Sequence, residues 1–322
     1  MIRAAVPDHG SIALQDLPEP TAGPGQVLLR VHAAGMNRAD LLHVKGTYRQ
    51  RAFTGPGPDV AGMECAGEVV AVGEGVDPGL LGTRAMAMTG GAYAESVLVD
   101  ARLLLPVPDS LDWAEAAALP MALLTETEAL VALGGVRAGE RVLIIGGTSG
   151  VALVGLQVAR ALDPGILVTT SRRAEGDDLL RALGADRVLH DPDELTGLDG
   201  DGFDVVVDHV GGPWLTAALT RLRIGARVIS VGRLGGRRID LDLTALAGRR
   251  ARLVGTTWKT QSLEQIAASV DAVRREVLPF VAAAAVRPVI AARVGLADIT
   301  RGYERLADER EPGKVVVLVR HD

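Results

Sequence analysis

The chain has 322 residues, 48% of them hydrophobic, enough to bury a sizeable core and to suggest two domains of roughly 150 residues each. A net charge of −6 is a poor match for the phosphate backbone of nucleic acid, and the single cysteine, Cys65, excludes an internal disulfide framework or a cysteine-rich zinc site. No window of about 18 residues is apolar and uncharged, and no long apolar run follows Arg3, so neither a membrane span nor a signal peptide is expected and a cytoplasmic location is the default.

The first 120 or so residues carry short apolar runs, Val27–Val31, Ala66–Val72 and Ser96–Val99. They are punctuated by Gly23, Pro24, Gly25, Gly55, Pro56, Gly57 and Pro58, the pattern of a turn-dense β domain. The texture changes near Ser110. Asp112 to Leu119 is alanine-rich and helical, with Ser110 or Asp112 as its N-cap. Strands and helices then alternate: Arg141–Ile145, a helix over Val151–Leu162, Ile166–Thr170, a helix over Asp177–Leu183, Asp204–Asp208 and Ala226–Val231. Such alternation predicts an α/β domain with a doubly wound parallel sheet. The run Ala282–Ala285 reads as helix, and Lys314–Val319 is a last strand expected to return to the first domain.

The strongest motif is the run Gly146, Gly147, Thr148, Ser149, Gly150, Val151, set between a buried strand and a helix. That context suits a dinucleotide: the glycines permit a tight turn, and the helix start aims free N–H groups and its positive dipole end at phosphates. An NAD site places a carboxylate about 20 residues on, to hold the ribose 2′-hydroxyl. Here that place reads Ser171, Arg172, Arg173, which suits a 2′-phosphate and so predicts NADPH. Val210 and Gly211 follow one strand and Gly232 another, at the edge where ligands bind. His209, beside them, is either a base or a structural histidine.

With these residues in view, the chain resembles the zinc-independent quinone oxidoreductases of the medium-chain dehydrogenase/reductase superfamily, the zeta-crystallin-like and p53-inducible type. The resemblance is carried by Ala33–Asp40, Gly46-Thr47-Tyr48, Pro58–Gly67, Gly91–Glu95, Ala117–Pro120, Leu123–Thr125, Leu183–Ala185, Gly211-Gly212 and Gly313–Val316, in order along the whole chain. It implies a GroES-like catalytic domain from 1–119 and 285–322, a Rossmann NADP-binding domain from 120–284, an active site in the cleft, and a homodimer through the edge of the Rossmann sheet. Zinc-dependent relatives carry a cysteine near position 37 and a histidine beside the Gly-x-Glu glutamate. Asn37 and Met63 stand there instead, so no metal is expected. Without a Lewis acid, quinones and enones become the natural hydride acceptors.

The resemblance further implies that Asn37 lies near the nicotinamide ribose or the acceptor carbonyl, and that Tyr48 hydrogen-bonds that carbonyl and acts as general acid. Their plainer roles are tying down a turn and walling a pocket. Thr125 matches a nicotinamide contact and Lys314 a position near the cofactor, or else a solvated strand-starting lysine. Asp40 and Glu64 read as structural. The family has a small residue after Thr125 and an aromatic one after that, where this chain reads Glu126-Thr127-Glu128, as either an exposed helical face or an altered pocket with a carboxylate near the substrate. Ala152 replaces the last loop glycine, with Gly155 a turn later, and Trp258 lines a pocket mouth or a subunit contact. Two other functions stay open: an enoyl or enone reductase, and an NADPH-binding structural or sensing protein with little turnover.

Overall fold

A computed structural model describes residues 1–48, 51–53, 58–198, 200, 202–308 and 311–320. Gly55, Pro56 and Gly57, read above as turn punctuation, lie outside the described residues. The chain divides into two units, Met1–Met121 with Trp258–Asp322, and Ala122–Thr257.

The first unit is β-rich. Strands β1 (Ile2–Asp8) and β2 (Ser11–Leu17) form an antiparallel hairpin. Next come β3 (Gln26–Gly35), helix α1 (Arg38–Val44), β4 (Glu64–Val72), β5 (Arg84–Met88), β6 (Ser96–Asp100), the short β7 (Leu105–Pro106) and helix α2 (Trp113–Ala117). Asp112 is the N-cap of α2, its carboxylate accepting from Glu115 N–H at 2.7 Å, so of the two candidates Ser110 is not the cap. Helix α3 (Pro120–Glu126) crosses into the second unit.

There, β8 (Arg141–Ile145), α4 (Gly150–Ala161), β9 (Ile166–Thr170), α5 (Asp177–Ala182), β10 (Arg187–Leu189), β11 (Phe203–Asp208), α6 (Gly212–Leu219), β12 (Leu222–Ser230), α7 (Leu243–Gly248) and β13 (Arg252–Gly255) alternate. The six strands pair in parallel in the order β10-β9-β8-β11-β12-β13. Val142, Leu143, Ile144 and Ile145 are fully buried, as a strand covered on both faces must be, and each stabilises the sheet by about 1.5–3 kcal/mol. Leu143, Ile145, Val168, Phe203, Val206, Leu215 and Val228 share one core. The strand order reverses between β8 and β11, the switch point at which such sheets bind ligands.

The chain then returns to the first unit with α8 (Leu263–Glu276), α9 (Leu278–Ala282), β14 (Ile290–Gly295), α10 (Ile299–Asp308) and β15 (Lys314–Leu318). Strand β15 pairs β3 and β14, and the seven-stranded sheet runs β14-β15-β3-β4-β5-β7 with β6 on β3. This is the expected GroES-like and Rossmann combination.

Three readings of the sequence need correction here. The second boundary falls at 257/258 rather than 284/285, because α8 packs on the first unit: Arg274 Nη2 donates to Arg102 O at 3.2 Å and also to Leu104 O. The alanine run is not wholly helical. Helix α9 stops at Ala282, and Ala284 takes a left-handed φ of 59° in the turn that follows. The glutamate-rich stretch after Thr125 continues as a π-helical segment over Thr127–Leu133, and Glu126 is fully buried rather than on an exposed face. Among the described residues no helix is long and apolar enough to cross a membrane.

Candidate functional site

In the second unit, the turn after β8 sits at the switch point. Gly146 has φ of +88°, a region that favours glycine. A Cβ there would stand 2.6 Å from Val210 Cγ2, so the loop after β11 closes on the turn. Gly146 N–H donates to Thr170 Oγ1 and Gly147 N–H to Thr170 O, both at 2.9 Å, which ties the turn to the end of β9. Ser149 is the N-cap of α4, its hydroxyl accepting from Ala152 N–H at 3.1 Å. Thr148, Gly150 and Val151 flank that cap, and the first-turn N–H groups of α4 lie at its positive end. This is a cradle suited to a dinucleotide pyrophosphate.

At the end of β9, Ser171 is buried and its hydroxyl donates to Arg173 O at 2.7 Å. The hydroxyl thus shapes the local turn, while Arg172 and Arg173 are exposed. At the end of β11, the buried Asp208 carboxylate accepts from Val210 N–H at 2.9 Å and Gly211 N–H at 2.8 Å. Burial pushes its pKa up against those two bonds. Gly232 N–H donates to Asp208 O at 3.0 Å, so Val210, Gly211 and Gly232 meet around one strand end. The His209 side chain is 7% exposed, with Nε2 3.0 Å from Glu126 Oε1. Thr125 is buried on α3, one residue before that glutamate.

In the first unit, Asn37 precedes α1 and belongs to a buried polar cluster. Its Nδ2 donates to Glu64 Oε1 at 2.7 Å, and Lys314 Nζ donates to both Asn37 Oδ1 and Glu64 Oε1. Met121 N–H satisfies Glu64 Oε2 at 2.8 Å. The solvated reading of Lys314 is therefore wrong, since only 4% of its side chain is exposed and its ammonium is engaged internally. Asp40 accepts from Asn37 N–H at 2.7 Å and from Tyr93 Oη at 2.9 Å. Burial lifts the Asp40 carboxyl to about 7, with the hydrogen bonds from Asn37 and Tyr93 opposing. Among the described residues, Asp40 Oδ1 and Tyr303 Oη are buried without a hydrogen-bond partner.

Tyr48, half-buried, follows α1 in the same unit. The Lys259 ammonium lies 5.8 Å from its ring centre and 3.5 Å from Thr47 O. Neighbouring Trp258 is buried within the first unit at 7% exposure.

Among the described residues, no three His, Cys, Asp or Glu side chains group as a metal site. The Cys65 thiol is pushed up to about 12 by burial and by Glu64, so it holds its proton, and Glu64 already pairs with an ammonium.

Residues 23–109 match the alcohol dehydrogenase GroES-like domain and residues 183–317 the family described as zinc-binding dehydrogenase. An alcohol dehydrogenase superfamily protein from Novosphingobium aromaticivorans is 30% identical, with a TM-score of 0.87 over 99% of this chain and 100% of that one. The chain belongs to the medium-chain dehydrogenase/reductase superfamily. As a member it is an NAD(P)-dependent oxidoreductase. The quinone oxidoreductase of Thermus thermophilus, solved also with NADPH, is 31% identical, with a TM-score of 0.83 over 98% of this chain and all of that one. The spectinabilin polyketide synthase protein NorB of Streptomyces orinoci is 32% identical over 96% of this chain, which spans only 14% of that protein's length.

Sequence reasoning missed the Glu126–His209 pairing and the joining of Lys314 to Asn37. The only signals were Glu126 and Gly155, noted separately as departures, and a lysine at the start of a strand.

Proposed function

We propose that the chain reduces a quinone, using NADPH and no zinc. The observation that carries this reading is the Lys314 ammonium held between Asn37 and Glu64. In a metal-dependent relative, position 37 and the residue before the glutamate would supply ligands. Here an internal cation is paired with that same glutamate, and Asn37 and Met63 offer no thiolate or imidazole. Acceptors that need no Lewis acid are then favoured. A bound nicotinamide supplies the hydride.

The chain's own residues orient and exclude water. The Gly146–Ser149 turn holds the pyrophosphate against the start of α4. Arg172 and Arg173 pair with the 2′-phosphate. Thr125, Val210, Gly211 and Gly232 pack around the cofactor, while Lys314 fixes Asn37 rather than meeting solvent. Tyr48 hydrogen-bonds the acceptor carbonyl through Oη and can deliver the proton. Hydride and proton together convert a quinone to a hydroquinone, and water can replace Tyr48 as the proton source.

A second reading, reduction of an enone or enoyl thioester, is favoured by the likeness to a polyketide synthase. Tyr48→Phe separates the two. It should lower enone turnover by about 10²-fold or more, the worth of a general acid, and quinone turnover by less than about threefold. Equal losses on both acceptors would remove Tyr48 from the proton path. The reading as a whole is tested by following NADPH oxidation against quinones, enones and enoyl thioesters with a chelator present. Quinone turnover indifferent to chelator is expected. Activity lost to the chelator, or no quinone turnover, would refute it.

We also infer a homodimer through the β13 edge, where Leu253 is exposed, with Ile224 and Leu243 exposed in the same unit. Sedimentation at monomer mass would contradict it.

A further inference from the structure

Two features that looked unrelated in the sequence meet inside the second unit. Glu126 ends α3, and His209 follows β11. Their side chains approach to 3.0 Å with Glu126 at 0% exposure, and neither Glu126 oxygen has a hydrogen-bond partner elsewhere among the described residues. A Cβ on Gly155 would stand 2.5 Å from Glu126 Oε2, so the carboxylate rests directly on the backbone of α4 and only glycine admits it there. On the other side, His209 N–H donates to Ile145 O at 3.1 Å, and His209 Cβ is 3.5 Å from where a Gly146 Cβ would be. The pair thus bears on α4 through Gly155, and the His209 backbone is bonded to the end of β8 at Ile145. These are the two elements that the Gly146–Ser149 turn connects.

We propose that the Glu126–His209 ion pair is a positioning element of the dinucleotide site, holding α4 and the end of β11 against the glycine turn and so setting NADPH affinity. The inference rests on the reading of that turn as the dinucleotide site.

The charge state supports the geometry. Burial works against the imidazolium, but Glu126, by charge and by contact, outweighs it, and the His209 pKa is raised. Asp208 also lies near the ring, its carboxylate accepting from Val210 and Gly211 N–H with Arg233 near it. Glu128 lies two residues beyond Glu126 in the π-helical segment. The contacts from α4 and β8, Gly155 and Ile145, are uncharged. A raised histidine pKa means that the pair is intact below the ordinary histidine value of about 6.5 and is lost only as pH rises through the higher folded value. NADPH affinity should therefore weaken on the alkaline side. The 2′-phosphate, with a pKa near about 6, titrates with the opposite sign and lower down.

NADPH is titrated onto the wild type, Glu126→Gln and His209→Gln from about pH 6.5 to 9, with the thermal midpoint measured in the same samples. The expected result is a wild-type Kd that rises severalfold with pH. Both variants should start about tenfold weaker, as loss of one charge-assisted contact implies, and stay flat. A lowered midpoint with wild-type Kd and pH profile in the variants would make the pair merely structural and overturn the proposal. The wild-type profile needs no folded variant, and a flat Kd across the range would also overturn it. A wild type that binds no NADPH at any pH would instead bring down the proposed function, and this inference with it.

Discussion

The two units each bury a charged cluster, and the clusters are built differently. In the first, Lys314, Asn37 and Glu64 come from three separate segments, and both Glu64 oxygens are answered, one by Asn37 and Lys314 and the other by Met121 N–H. In the second, Glu126 and His209 meet with neither carboxylate oxygen hydrogen-bonded elsewhere among the described residues. A buried charge needs partners in proportion to the hydration it gave up. The first cluster is thus a fixed scaffold, and the second a pair whose state depends on one proton. Asp40 stands between these cases: its Oδ2 accepts two hydrogen bonds, and its Oδ1 has no partner among the described residues.

The strongest way to break the comparison is Lys314→Met, which strands the fully buried Glu64 charge. Removing one partner of such a pair should destabilise by about 3–5 kcal/mol, read by urea unfolding. A change under about 1 kcal/mol would show that the scaffold is not held by the ammonium.

Asp40 gives the next effect, with an unusual sign. Its carboxyl is lifted in the folded state, so between about pH 4 and 7 the native form holds a proton that the unfolded chain has released. Its contribution is therefore present at low pH, falls as pH rises across that window, and is gone above about 7. A shift from 3.8 to about 7 bounds the effect at about 4 kcal/mol. Asp40→Asn should flatten the stability profile between pH 4 and 7 and raise stability at pH 8. An unchanged slope would mean that Asp40 is ionised throughout.

A smaller effect sharpens the second region. Gly155→Ala should destabilise by about 1–3 kcal/mol, because its Cβ would collide with Glu126. Combined with Glu126→Ala it should cost less than the sum of the two, since the colliding carboxylate is gone. Strict additivity in thermal unfolding would separate the two residues.

Much of this was legible in the sequence because its physics is local. The Gly146–Val151 run, between an apolar strand and a helical period, specified the turn, and the strand–helix alternation specified the parallel sheet. Asp112, one of two capping candidates with Ser110, stood at a real helix start. What stayed hidden depends on distant partners. Nothing near Glu126 in the chain reveals His209, and nothing near Lys314 reveals Asn37. A π-helical segment leaves no periodic signature distinct from an α-helix over so few residues. The turn after Ala282 and the boundary at 257/258 were missed for the same reason: alanine composition predicts helix, whereas the return of α8 to the first unit is decided by tertiary contacts such as those of Arg274.

The smallest perturbation addresses the central claim, that the second unit's turn holds NADPH with Arg172 and Arg173 on its 2′-phosphate. The measurement is kcat/KM for NADPH and for NADH with a para-quinone, on the wild type and on the Arg172→Ala/Arg173→Ala variant. The wild type should prefer NADPH by about tenfold or more, the worth of one or two charge-assisted hydrogen bonds. The variant should lose that preference with its NADH value unchanged. A wild type that prefers NADH, or a variant that keeps the NADPH preference, would contradict the account.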